Sequence, residues 1–415
     1  MPKSRQTAAV VLAVGLLIPA RPADAQTAIP GQLLISEFRL SGPQGANDEF
    51  IEIFNTGDVD HTVAATSGTG YGIAASDGVT RCTIPNGTLI RGHGHYLCVN
   101  SGGYSLSSYA PGGIAAGGDA SYATDIADNA GIAIFNNDSG GDSYSLANRL
   151  DAVGSTSEAN TLYKEGAGYP ALAALAIESA WVRDECGKGG AVNLAGPCSM
   201  STPKDTDDNA ADFYFVDTNG TAAGNGPRLG APGPQNLSSA VQRNAGFAVY
   251  LVDATRASTT YPNRIRNSGP GYDGFPFGSL EIRRRFVNHT GATVTQLRLR
   301  IIDISTFPAA PGVADLRAHT TSFSAMRPLT PVYDADTCAA TGSPPYAYCL
   351  VWFYGTVAEE PPSQPNGAAF NGSLNAYLVP LGSGLADGQS VNLAFMFGVH
   401  QPGAYRIYLN IEAMR

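Results

Sequence analysis

After its first 25 residues the chain has no apolar stretch of the roughly 20 residues that a membrane-spanning helix requires. That argues against insertion in a bilayer. No C-x-x-C spacing occurs among the six cysteines, which disfavours a structural zinc site. The G-x-S-x-G elbow of many serine hydrolases is also missing. Basic residues are outnumbered, 25 Lys and Arg against 35 Asp and Glu, for a formal charge of -10. Nucleic-acid binding is driven by cations that displace counterions from phosphates, so this balance argues against it. Charge of either sign is scarce at 14%, and so are helix-forming runs. Glycine (49 residues) and proline (27) are plentiful, and they suit many turns joining short strands. The class reads as all-β. One short helix is expected in the alanine-rich stretch 169–180.

The first residues read as an export leader. Lys3 and Arg5 precede an apolar run over 7–20, and Ala23-Asp24-Ala25 offers small residues at the two positions a signal peptidase reads. Cleavage is expected before Gln26. The leader carries a net +2, so the chain beyond it stands near -12. In an oxidising compartment cysteines pair. The simplest scheme is local: Cys82 with Cys98, Cys186 with Cys198, and Cys338 with Cys349.

Two blocks separate at a turn-rich passage, Gly224-Asn225-Gly226-Pro227 and Gly230-Ala231-Pro232-Gly233-Pro234, which holds little that would pack. The expected organisation is a signal peptide over 1–25, a first domain over 30–238, a linker at 239–245 and a second domain over 246–415. In the first block strands are expected at 32–40, 49–54, 94–100, 131–136 and 150–153. Phe50, Glu52 and Phe54 alternate there with Ile51 and Ile53. In the second block they are expected at 246–254, 278–288, 294–304, 348–357, 373–380, 391–399 and 404–413. Leu297, Leu299 and Ile301 form the apolar side of one strand, with Arg298 and Arg300 on the other. Some seven strands with regular turns point to a second sandwich, of fibronectin or immunoglobulin type.

The first block resembles bacterial lamin tail domains. The likeness rests on Leu34-Ile35-Ser36-Glu37-Phe38 and Asn47-Asp48-Glu49-Phe50-Ile51-Glu52-Ile53-Phe54-Asn55, then on Ile90 to Val99 with its glycine turn. It continues through Arg149 to Gly154, Ser179 to Arg183, the acidic run from Asp205 to Phe213, and Gly230-Ala231-Pro232 with Asn236. The family implies an immunoglobulin-like sandwich in exported, often multidomain proteins, with a binding or structural role. Long insertions are expected around 60–80, 100–127 and 155–200. The second block is similar to sandwich domains that end secreted bacterial proteins, a likeness that brings no activity.

Four groups of residues carry candidate chemistry. The cluster Asp205, Asp207, Asp208, Asn209 and Asp212 offers oxygens to a hard cation such as calcium. It lacks the glycine and bidentate Glu of a calcium loop, which favours a turn whose side chains cap backbone N–H groups. Glu37 and Glu52 sit on neighbouring strands, where a raised pKa would allow acid–base work. Bonds to loop backbone or to an arginine such as Arg183 are the plainer expectation. His93-Gly94-His95 puts two imidazoles in reach of one metal if the segment is a strand, with no third ligand nearby. Arg283, Arg284 and Arg285 split between two faces, with Glu281 as an ion-pair partner.

The reading that follows is a secreted, non-enzymatic binding or structural module for an extracellular protein or glycan. Tyr104, Tyr109, Tyr261 and Tyr272 would offer a glycan platform unless they pack down onto the sheets. The alternative is a calcium- or metal-dependent extracellular hydrolase, or an accessory domain assisting one. It requires a concave pocket gathering Glu37, Glu52 and the acidic run.

Overall fold

The computed structural model describes residues 27–109, 115–185, 203–220, 228–269, 274–321, 325–329, 339–341, 348–359, 367–376 and 384–415. The protein is an all-β sandwich structure. Its first half holds β1 (Leu33–Arg39), β2 (Phe50–Asn55), β3 (His61–Thr62), β4 (Gly70–Ala75), β5 (Thr80–Pro85) and β6 (Leu89–Ile90). It continues with β7 (His95–Asn100), β8 (Ala120–Tyr122), β9 (Ile132–Phe135), β10 (Arg149–Val153), β11 (Ser179–Arg183) and β12 (Phe213–Asp217). A six-stranded sheet in the order β12-β11-β1-β2-β7-β8 faces a four-stranded one, β10-β9-β4-β5. Alternation on β2 sends Ile51 and Ile53 into the space between them, against Tyr71, Ile73, Ile84 and Ile134. Cys82 on β5 is bonded to Cys98 on β7, which ties one sheet to the other. The expected pairs Cys186–Cys198 and Cys338–Cys349 fall outside the residues whose side chains the structure describes.

The second half holds β13 (Val241–Gln242), β14 (Phe247–Leu251), β15 (Arg264–Asn267), β16 (Ser279–Asn288), β17 (Gln296–Ile304), β18 (Asp315–His319) and β19 (Ala325–Leu329). After these come β20 (Ala339–Thr341), β21 (Tyr348–Gly355), β22 (Val357–Glu359), β23 (Ser373–Asn375), β24 (Ser390–Gln401) and β25 (Ile407–Met414). A five-stranded sheet, β13-β25-β17-β23-β22, packs on an eight-stranded sheet built around β16, β24 and β21. Leu297, Leu299 and Ile301 of β17 meet Leu280, Phe286, Leu393, Phe395 and Phe397 of the larger sheet. Arg298 and Arg300 turn the other way, toward the first half.

The halves are stacked, not strung. Phe50, Leu97, Val182 and Tyr214 belong to the same buried cluster as Leu299, Phe370 and Leu374. Tyr214 packs edge-on to Phe370, ring centres 5.3 Å apart. The passage expected to pack little is instead buried from Leu229 to Asn236. A Cβ on Gly230 would collide with the Phe370 carbonyl and Val216, so that glycine serves close approach and not flexibility. The stretch 239–245 is not free linker either: Val241 and Gln242 pair with Ala413 and Glu412 of β25.

One further expectation is corrected. The stretch 169–180 forms no helix. It is apolar throughout 171–177 and so has no polar face to meet solvent, Pro170 interrupts its start, and its end is already β11. The region 60–80 carries β4 as an inner strand of the smaller sheet.

Candidate functional site

The acidic run forms a cap and a turn. Asp208 precedes a one-turn helix, α1 (Asn209–Asp212), and accepts hydrogen bonds from the Ala210 and Ala167 N–H groups at 3.2 and 3.0 Å. Asn209 is buried. Its Oδ1 accepts from Gly154 and Glu165 N–H, and its Nδ2 donates to the Ala152 carbonyl. Asp212 accepts from Thr206 N–H at 2.8 Å and from the Thr206 hydroxyl at 2.6 Å. Asp207 is exposed and lies in the left-handed region at φ 55°. Of the five residues that offer oxygens to a cation in sequence, Asp205 alone joins the carboxylate cluster found among the described residues, and its partners there are Asp151 and Glu165. Replacing Asp208 with alanine is expected to cost about 1 kcal/mol, the usual worth of an N-cap. Urea unfolding at neutral pH measures it.

Glu37 and Glu52 lie elsewhere, on the opposite face of the six-stranded sheet. They are direct cross-strand partners on β1 and β2, both essentially fully buried. Glu37 accepts from Gly233 N–H at 2.8 Å and from Asn371 Nδ2 at 2.8 Å. Glu52 accepts from the Ser36 hydroxyl and from Gln235 N–H, each at 2.6 Å. The sequence Pro232-Gly233-Pro234-Gln235 thus alternates residues without an N–H and residues whose N–H meets a carboxylate. Burial pushes the Glu37 carboxyl up to about 7, against the opposing pull of the Gly233 N–H, Asn371 and Arg300. Burial and then the Glu37 charge push Glu52 up to about 8. His95 Nε2 sits 3.8 Å from Glu52, and burial holds that imidazole well below its usual range.

Around this pair the joint between the halves is filled with charge. Arg298 bonds Glu359 at 2.7 Å and pairs with Glu412. Arg300 bonds Glu185 at 3.0 Å and reaches Glu412 at 2.9 Å. Asn410 donates to Glu185, and Gln235 donates to Glu412. Arg183, suggested from sequence as a partner for these glutamates, instead pairs with Asp151 at 2.7 Å. Asp151, on β10 of the smaller sheet, and Glu37 lie against opposite faces of the six-stranded sheet, because Arg183, the partner of Asp151, shares the face of Trp181 while Glu37 is registered with Val182. The concave pocket that the hydrolase reading requires is not assembled from these residues.

The remaining candidates separate. His93 lies in a left-handed turn at φ 57° and pairs with Asp58 at 2.8 Å, while His95 is buried on β7. Tyr104 and Tyr109 pack inward. Tyr272 lies outside the described residues. Tyr261 is half exposed, and so is Tyr250 on β14, which no sequence signal singled out. Arg283 and Arg285, two residues apart on β16, place their guanidinia 5.9 Å from the Tyr261 ring and 5.5 Å from the Tyr250 ring. Both tyrosines therefore decorate the outer face of the eight-stranded sheet. The expected Arg283–Glu281 pair is present at 2.6 Å. A separate surface hollow of about 560 Å³, lined by Ile29, Gln32, Val59, Asp60 and His61, contains none of the expected site residues.

Among the described residues no helix is long and apolar enough to cross a membrane. No protein-family model, no curated protein and no solved structure matches this chain.

Proposed function

We propose that the chain is an exported, non-enzymatic binding module of the bacterial cell surface or extracellular space, with a lamin-tail-like first half and a glycan-facing second half. The outer face of the eight-stranded sheet carries this reading: Tyr250 and Tyr261 are 48% and 49% exposed over the guanidinia of Arg285 and Arg283. Exposed aromatic rings held by cations give flat, rigid faces on which sugar rings stack, and they lose little side-chain entropy on binding. The leader and the Cys82–Cys98 bridge support export. The carboxylates best suited to acid–base work are enclosed between the halves, which favours binding over catalysis.

The test is an array of soluble polysaccharides probed with the full chain and with the double variant Tyr250→Ala/Tyr261→Ala. Expected is retention on at least one polysaccharide and a roughly tenfold loss in the variant, near the 1.4 kcal/mol that two exposed stacking contacts supply. Equal binding by both proteins would move the site off this face. Release of reducing sugar ends by the wild type would overturn the non-enzymatic reading.

A further inference from the structure

Between the two sheets of the first half, three carboxylates from three separate segments come together. Asp151 lies on β10, Glu165 follows the 3₁₀ turn Thr161–Tyr163, and Asp205 leads into the capped turn. One oxygen of each lies within 4.8 Å of the others. Asp151 and Glu165 are 1% and 7% exposed.

Two arginines hold this group by one oxygen per carboxylate. Arg183 Nη2 lies 2.7 Å from Asp151 Oδ2, and its Nη1 lies 3.4 Å from Asp205 Oδ1. Arg149 Nη2 lies 3.1 Å from Glu165 Oε1. Asp151 Oδ2 also accepts the Ile35 N–H at 2.6 Å. Asp151 Oδ1 and Glu165 Oε2 are left buried with no hydrogen-bond partner. Charged oxygens in that condition call for a cation or a proton. Asp212 adds a fourth carboxylate 3.6 Å from Arg183, and among the described residues the further cation is Lys204, 3.9 Å from Asp212. With all four carboxylates ionised, the three cationic side chains among the described residues would leave one negative charge uncompensated, which a bound cation or a proton would balance.

We propose that Asp151, Glu165 and Asp205 bind one calcium ion. The donors are all oxygens, the choice of a hard cation. They come from segments whose carboxylates are clamped by guanidinia, so they do not rearrange into the near-ideal octahedron that magnesium demands, whereas calcium tolerates irregular coordination completed by water. Asp205, with its side chain 29% exposed, opens the site to solvent for the ion and its waters. Bound there, calcium joins β10 to the loops at 165 and 205. The inference stands apart from the proposed glycan face and survives its failure.

The experiment is calorimetric titration of the full chain, recovered after export and stripped with chelator, first with calcium chloride and then with magnesium chloride. One calcium per chain is expected, with a Kd of about 1 mM or tighter, as in extracellular calcium modules. Glu165→Gln and Asp205→Asn are each expected to weaken it about tenfold, since affinity follows the number of charged ligands. Asp207→Asn should leave it unchanged. Circular dichroism confirms that each variant is folded, and Asp205, at the surface, is the substitution least able to disturb the fold. Absence of calcium heat in the wild type overturns the proposal, as does binding that persists in both variants or a preference for magnesium. Glu165→Gln that stabilises a chain indifferent to calcium overturns it too, because a shared proton then satisfies the oxygens.

Discussion

Replacing Arg298 with methionine is expected to lower the unfolding free energy by roughly 3–5 kcal/mol, the usual consequence of removing one partner from a buried ion pair. Arg298 is 1% exposed on β17, and its guanidinium is the main counter-charge of two acids. Glu359 would be left in the joint without that cation, and Glu412 would keep Arg300 and Gln235 among the described residues. An exposed ion pair would contribute about 1 kcal/mol or less. A loss of that smaller size would mean water reaches the joint. The double variant Arg298→Met/Glu359→Gln should recover part of the loss, because it removes a stranded charge along with its partner. Urea unfolding followed by tryptophan fluorescence and by far-ultraviolet dichroism checks both values. The same experiment reads cooperativity. In the wild type the halves share one buried cluster and should unfold together. Two transitions in Arg298→Met would identify the charged layer as what couples them.

That charged layer was half legible in the sequence. The alternation over Leu297 to Ile301 gives the two faces of β17 correctly, and the eventual core residues with them. It cannot show that the arginine face is covered. A polar stripe on a strand normally meets solvent, and this one is buried by acids far away in the chain: Glu185, Glu359 and Glu412. Local pattern carries no information about such pairings. Composition misled in a second way. The passage from Gly230 to Pro234 reads as a turn-rich boundary that would pack little, yet it is a close approach. Gly70 and Gly72 of β4 are crowded likewise, where a Cβ would strike the Ile84 carbonyl and the Tyr144 hydroxyl. Glycine marks crowding as readily as freedom. The acidic run stands out because five oxygen-bearing residues lie close in sequence, but Asp208 and Asp212 serve the turn, Asn209 ties it to β10 and to the loop at 165, and Asp207 faces solvent. The cluster that Asp205 joins draws on Asp151 and Glu165, which only the packing of β10 against β1, with the loops at 165 and 205 folded beside it, brings near.

Substituting Glu52 with glutamine should flatten the pH dependence of stability between about pH 5 and pH 8. The folded carboxyl is pushed up to about 8, whereas an unfolded glutamate titrates near 4.5. Between those values the folded chain keeps a proton that the unfolded chain has released. Raising the pH through that window therefore favours unfolding: the stability linked to this proton is fully present below pH 4.5 and is lost as pH passes 8. Glutamine imitates the protonated form. Its carbonyl accepts from Gln235 N–H and its amide donates to the Ser36 oxygen, so both bonds survive. One pKa unit corresponds to about 1.4 kcal/mol, so the variant should gain on the wild type by roughly 3 kcal/mol between pH 5 and pH 8. Glu37 faces Glu52 directly and shares the effect, pushed up to about 7. The double variant Glu37→Gln/Glu52→Gln should be flatter still. His95 titrates in the opposite sense, since burial keeps it neutral in the folded chain, but it is present in every variant and cancels in the comparison. Parallel curves for wild type and Glu52→Gln would show that the glutamate is already ionised in the fold, held by Arg300 across the joint. The proton would then have no part in closing the two halves on each other.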